Sequence, residues 1–378
     1  MTIKLLEEND VAVGVPVKWH VYDGKGRLLL KKGMFLRSLG QVKKLLSLEP
    51  FVRLDENVMD LEKISINDAL SPFHHIEEVV ERIDILFHEI IHKAAYLKKK
   101  LADKLMDLSV SIIELCEYDM DATIGAIHLG KEYGYTTIHP LHCAILCYAL
   151  ATTTGLKDRR LNTLICAALS SNLGMYELQK TLVKQNSRLT KQQKIEVEKH
   201  TMRSAILLKR QGVIDKLWIE IVLQHHEQQD GSGYPRKLSG VEFIREARIL
   251  GLADRYHAMV SPRQYRDGMS PTDALKKIFQ DRGKEVDEKL GAVLIKEMGI
   301  FPPGAYVKLA NEELGIVVRR GEDRTRPIVK TIKGSDGRLY SKPKTRDSDE
   351  KDFRVIGLCQ PIEDYKFDLL TLWDYKLD

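Results

Sequence analysis

Gln224-His225-His226-Glu227-Gln228-Gln229-Asp230-Gly231-Ser232-Gly233-Tyr234-Pro235 places two adjacent histidines just ahead of a Gly-Ser-Gly-Tyr-Pro loop. Imidazole ligates borderline-soft metals, and a glycine-rich backbone turns sharply and can be approached closely. A His-His pair alone belongs more often to a core or a surface than to a metal, so its surroundings have to decide. Upstream, Val213 to His225 repeats apolar residues at steps of three and four, as do Ile138 to Ala151, Leu161 to Leu173, Lys191 to Lys209 and Ala247 to Met259. That period predicts helices, and five helices around one core over residues 119–300 is the simplest arrangement. Thr190 and Gln193 make a capping-box pair at the start of one of them, and Gly174 is expected to end another.

The texture differs on both sides. Within residues 1–60, Val11 to His20 and Arg27 to Leu30 read as short strands around a turn, with a short helix at Ser38 to Leu48 and a returning strand at Phe51 to Leu54, hence a small β-rich domain. Over residues 70–118, Ile76, Val80, Ile83, Phe87, Ile90, Ala94, Leu97, Leu101, Leu105, Leu108, Ile112 and Leu115 form a heptad seam with an inserted step between Leu97 and Leu105. It predicts one long amphipathic helix, which either covers this chain's own core or pairs two chains as a homodimer. Residues 301–378 turn to strands again at Tyr306 to Leu309, Leu314 to Arg319, Pro327 to Ile332 and Phe353 to Ile356, while Gly334 to Lys351 reads as a mobile, charged loop.

Composition sets bounds on partners. With 43% hydrophobic and 30% charged residues the chain is an ordinary globular one, and no apolar run approaches the roughly 20 residues of a membrane helix. Five cysteines in no C-x-x-C pair fit a reducing compartment, so a cytoplasmic location is expected. A net charge of +5 gives nucleic acid little purchase.

Histidine with carboxylate is the ligand mixture of iron, manganese or zinc centres, and His139, His200, His225, His226 and Asp254 are the candidates. They sit in recognisable company: His139-Pro140-Leu141-His142 opening a helix, Ser187-Arg188-Leu189-Thr190 before His200, the His225 to Pro235 run, Ala247 to Tyr256 around Asp254, and Arg263-Gln264-Tyr265-Arg266. In this order and spacing, from about Tyr135 to Glu297, they resemble the HD-GYP family. Its members are bacterial phosphodiesterases that hydrolyse cyclic di-GMP, a branch of the HD metal-dependent phosphohydrolases. The fold class that follows is mainly α, a helical HD-type core with a small β-rich N-terminal domain and a short β-rich C-terminal extension.

The sequence departs from the family at its eponymous motif. Where the family has Leu-His-Asp-Ile-Gly-Lys, this chain has Ser170-Ser171-Asn172-Leu173-Gly174-Met175. By the resemblance, that Asp bridges two metals, the His completes the first and the Lys assists at the scissile phosphate; Ser171, Asn172 and Met175 supply none of these. His139 and Asp254 match ligands of the first metal, too few to hold it firmly, and His200, His225 and His226 match those of the second. One divalent metal, or none, is the expectation. Tyr135 stands where some members place a glutamate for a third ion, so three are not expected.

Arg263 and Arg266 match cations that reach substrate phosphates, unless they only cap or pair at a helix start. Gly233, Tyr234 and Pro235 match a loop implicated in docking diguanylate cyclase domains, and could offer such a signalling protein a rigid, exposed edge. The resemblance with this departure implies a catalytically degenerate HD-GYP protein that acts in cyclic di-GMP signalling by binding nucleotide, docking a protein, or both. A weak single-metal phosphodiesterase and a structural dimer with a non-functional site are the alternatives.

Overall fold

In the N-terminal region, β1 (Ile3–Leu5), β2 (Val21–Tyr22), β3 (Leu28–Leu30) and β4 (Phe51–Arg53) pair antiparallel in the order β1-β4-β2-β3. Val21 and Val52 face each other across β2 and β4 and are fully buried, sharing a core with Val42 and Leu45 of α1 (Leu39–Leu46). The computed structural model describes residues 3–6, 10–11, 17, 19–24, 28–30, 36, 39–48, 50–53, 71–92, 100–130, 133–264, 266–362 and 368–375. The strand expected over Val11 to His20 lies mostly outside them. Two units are distinguished, Met1–Ser65 with Asp84–His88 and Ile66–Ile83 with Glu89–Asp378.

The heptad seam runs through two helices, α2 (Pro72–His92) and α3 (Leu101–Tyr118), not one. Lys100 stands before α3 with an extended backbone (φ −56°, ψ 142°). Lys100 is the last of three consecutive lysines in the sequence, and Asp103 suits the start of α3. Arg82 donates to Ser111 (2.8 Å) and Lys104 to Glu89 (2.7 Å), so an advance of seven residues on one helix is a retreat of seven on the other. The two therefore run antiparallel. Ile83, Ile90, Leu105, Ile112 and Leu115 are at most 1% exposed within this single chain, so these described residues of the seam cover the chain's own core.

The helical region holds ten helices among the described residues, not five: α4 (Met120–Leu129), α5 (Tyr135–Thr153), α6 (Asp158–Ser170), α7 (Tyr176–Val183), α8 (Lys191–Glu198), α9 (His200–Arg210), α10 (Lys216–Gln224), α11 (Arg245–Val260), α12 (Pro271–Asp281) and α13 (Glu288–Met298). Short helices such as α7 and α8 carry too little apolar stripe to be told from their neighbours. α5 is the centre, buried almost throughout and packed by α3, α6, α11 and α13. The capping box forms as expected, with Thr190 Oγ1 accepting from Gln193 N (3.1 Å) and Gln193 Oε1 from Thr190 N (2.9 Å).

Beyond α13, β5 (Tyr306–Leu309), β6 (Leu314–Arg319), β7 (Ile328–Lys333), β8 (Leu339–Asp347) and β9 (Val355–Leu358) make an antiparallel sheet in the order β8-β7-β6-β5-β9. β8 occupies the stretch expected to be a mobile loop. It is an edge strand whose side chains are mostly exposed, so its charges read as a loop while its backbone pairs with β7 from Ile328↔Asp347 to Lys333↔Leu339. Lys330 of β7 is buried and holds Asp374, just past α14 (Leu369–Leu372), at 2.6 and 2.7 Å. Among the described residues no helix is long and apolar enough to cross a membrane.

Gly174 does not simply end a helix. It lies in the turn after α6, and an added Cβ would sit 2.5 Å from Ser204 N and 2.7 Å from His200 O. The turn bearing Ser171 and Asn172 is thereby pressed onto the first turn of α9. Gly174→Ala should lower the stability by about 1–3 kcal/mol, the usual cost of overpacking. Urea titration checks this, and an unchanged midpoint would mean that the turn and α9 are loosely packed.

Candidate metal centre

His200, His225 and His226 converge, with one potential ligand atom from each lying within 4.8 Å of the others. His200 opens α9 just beyond the end of α8, and His225 follows the last turn of α10. Carbonyls at helix ends lack intrahelical partners, and both histidines use them: His200 Nδ1 donates to Val197 O (2.5 Å) and His225 Nδ1 to Val222 O (2.8 Å). Each Nε2 is then left as an acceptor, and these two nitrogens face each other at 3.4 Å. Two imidazoles on one tetrahedral ion with bonds of ~2.0–2.1 Å keep a separation of about 3.3 Å, so the pair fits a single divalent cation. Burial lowers His200 and His225 to about 3 and His226 to about 4, which keeps all three neutral and competent as ligands near pH 7.

His139 and Asp254 meet separately, Nε2 to Oδ1 at 2.9 Å. Desolvation is the largest influence and would raise the Asp254 carboxyl, but the hydrogen bond from His139 and the electrostatic effects of His226, His139 and His225 together outweigh it and hold it well below the usual range. The other edge of His139 meets His257 (Nδ1 to Nδ1, 2.7 Å), and His257 Nε2 meets His142 Nδ1 at 2.9 Å. Burial lowers both His142, to about 3, and His257. Cys143 is buried and lies against His139, with Sγ 3.7 Å from Nε2.

The turn after α6 carries no carboxylate. The Ser171 hydroxyl is spent on Ala168 O (3.2 Å) and its carbonyl accepts from Ser204 Oγ (2.6 Å), which itself accepts from Gly174 N (2.8 Å). Asn172 is buried, and neither Oδ1 nor Nδ2 has a hydrogen-bond partner. Such an amide is costly unless something polar meets it.

Residues 126–290 match the family model of the HD domain. This segment is an HD domain. The chain is 26% identical over 232 residues to a cyclic di-GMP phosphodiesterase of Pseudomonas aeruginosa, covering 61% of this chain and 55% of that protein. It is 29% identical over 246 residues to a probable cyclic di-GMP phosphodiesterase of Vibrio cholerae, covering 62% and 52%. The chain thus spans about half the length of these curated relatives. In fold it is similar to an HDG"Y"P protein from Bdellovibrio bacteriovorus, with a TM-score of 0.50 and 15% identity over 78% of this chain and 99% of that one.

The remaining expected site residues of the HD domain take different places. Arg263 lies over the Tyr135 ring (4.9 Å to its centre) and donates to its hydroxyl (2.8 Å), with its buried Nε unpartnered. Arg266 turns to main-chain carbonyls of Ala258, Met259 and Asp267 and so closes the C-terminal end of α11. Gly233 is buried, since a Cβ there would meet His226 O at 2.5 Å and Gln228 N at 2.4 Å. Tyr234 and Pro235 are half-buried, and the Tyr234 ring stacks on His226 at 4.8 Å, so this is not the exposed edge expected of a docking loop. Met175 is half-buried in the turn.

His257, Cys143 and the role of His142 escaped the sequence reading. The signal was available: His139 and His142 are one turn apart on α5, as are Asp254 and His257 on α11. Two helices that pack together would bring those pairs face to face.

The depressed imidazoles carry a pH dependence whose sign follows directly. Unfolded histidines bind protons below about pH 6.5, whereas His200, His225 and His226 resist until about 3 to 4, so stability falls as the pH drops from 6.5 towards that range. One such imidazole contributes about 2 kcal/mol between pH 7 and 5. Urea denaturation of metal-free protein should therefore show a marked loss over that interval, and His225→Ala should reduce the slope; a flat profile would mean that these rings charge freely in the folded chain.

Proposed function

We propose that this chain acts in cyclic di-GMP signalling as a binding protein, through an HD domain that has lost the means of family-type hydrolysis. The observation that carries this is the neutral turn beside an intact histidine cluster, with Ser171 and Asn172 where a two-metal hydrolase needs an imidazole and a bridging carboxylate. Two-metal catalysis requires ions on both the attacking and the phosphoryl oxygen, held by a shared anionic ligand. A neutral amide cannot offset the second cation. The three histidines fit one iron, manganese or zinc ion, which when bound would polarise a phosphoryl oxygen.

The protein's own groups then do the recognition. Arg263, braced by Tyr135 with its Nε unpaired, is suited to a phosphate oxygen, whereas Arg266 serves the end of α11 and is a weaker candidate. The Tyr234 loop, seated on His226, links any partner docking at Gly233, Tyr234 and Pro235 to the metal cluster. A diguanylate cyclase domain or another signalling protein is the partner class implied. The same cluster also supports a second reading, slow single-metal phosphodiester cleavage.

Calorimetry of the full chain, loaded with manganese, should give binding of cyclic di-GMP without turnover, weakened about tenfold by Arg263→Ala through the loss of roughly 1.4 kcal/mol. Absence of heat at high ligand concentration would overturn the nucleotide-binding reading. Turnover abolished by His225→Ala would establish the enzymatic one.

A further inference from the structure

The His139 to His257 array contains more ligand chemistry than the HD resemblance assigns to it. His139, Cys143 and His257 offer three ligand atoms within 4.8 Å of one another, and all three residues are at most 2% exposed. Cys143 lies one turn beyond His139 on α5, and His257 comes from α11, so the group joins two packed helices. We propose that His139, Cys143 and His257 hold a zinc-type cation of their own, apart from the three-histidine position. It lies on the opposite edge of the His139 ring from Asp254.

Three features support the assignment. Asp254 binds His139 Nε2 at 2.9 Å, which leaves His139 Nδ1 for an ion and makes Asp254 the carboxylate that orients a ligating histidine. His257 is oriented in the same way, its Nε2 occupied by His142 Nδ1 (2.9 Å) and Ser261 Oγ (3.0 Å), with Nδ1 directed at His139 Nδ1.

Distances are close to those of a tetrahedral centre. Cys143 Sγ lies 4.0 Å from His139 Nδ1, where zinc–sulfur and zinc–nitrogen bonds of ~2.3 and ~2.0–2.1 Å imply about 3.6 Å. The two Nδ1 atoms are 2.7 Å apart and would separate by about 0.6 Å to share an ion. The Tyr135 hydroxyl, 3.1 Å from His139 Nδ1, borders the same point.

Charge completes the case. A thiolate at Cys143 and the Asp254 carboxylate together balance a divalent ion in a closed pocket, where an unbalanced charge is heavily penalised. The three-histidine position has no anionic ligand of its own, so the thiolate position suits the softer cation better.

Cobalt reports on thiolate ligation independently of nucleotide binding or turnover. Metal-free full-length protein titrated with cobalt should take up two equivalents, one of them producing a near-ultraviolet thiolate-to-cobalt charge-transfer band that zinc displaces. Cys143→Ser and His257→Ala should each lose the band and one equivalent, while His226→Ala should keep the band. A wild-type protein that binds cobalt without a thiolate band overturns the proposal whatever the variants do, and so does a band that survives Cys143→Ser. The nucleotide reading would be untouched by either result.

Discussion

Two hydrogen bonds, from His200 to the Val197 carbonyl and from His225 to the Val222 carbonyl, govern what the histidine cluster can do. Each uses a carbonyl of a helix's last turn, at the end of α8 and the end of α10. The helix boundaries therefore set the tautomers, and the tautomers aim both Nε2 atoms at one point. Had either histidine stood in the middle of a helix, its local carbonyls would already be taken. The position of a helix end, a matter of capping and local sequence, thus becomes a matter of ligand geometry.

The Gly-Tyr-Pro loop depends on that cluster in turn. The buried Glu227 carboxylate, next in sequence to His226, accepts from Arg236 N (2.7 Å) and Leu238 N (2.9 Å), which ties the loop back to its origin. Gly233 then passes so close to the His226 and Gln228 backbone that no side chain would fit. With Tyr234 stacked on His226, the loop and the metal position form one packed piece. A ligand at the histidines and a partner at the loop would act on the same ring, which is the physical route by which one could influence the other.

The helical core and the outer histidines were legible in the sequence because periodic apolar stripes and ligand-type residues are local signals. The capping box at Thr190 was read correctly for the same reason. β8 was not, since an exposed edge strand has no buried face to impose alternation, and only its pairing with β7 defines it. The helical hairpin was hidden behind an almost continuous seam, whose break at Lys100 is a backbone event with a weak compositional trace. His257 was missed because its importance comes from α5 meeting α11, a tertiary fact that two one-turn spacings suggest only once the helices are known to pack.

Charge explains why replacing one acid changes the character of the whole site. With the neutral Asn172 standing, by the resemblance, where the family has its bridging aspartate, Asp254 is a carboxylate whose charge acts on His200, His225 and His226. Three neutral imidazoles suit one divalent ion, and a neutral turn beside them offers no bridging anion to offset a second ion at the same position. A single ion of this kind could attract a phosphate but would not clamp it between two metals. On the proposed reading, a neutral turn would remove the bridging anion that two-metal hydrolysis needs while leaving the groups that bind phosphate, which is how an HD domain could keep a ligand without its chemistry.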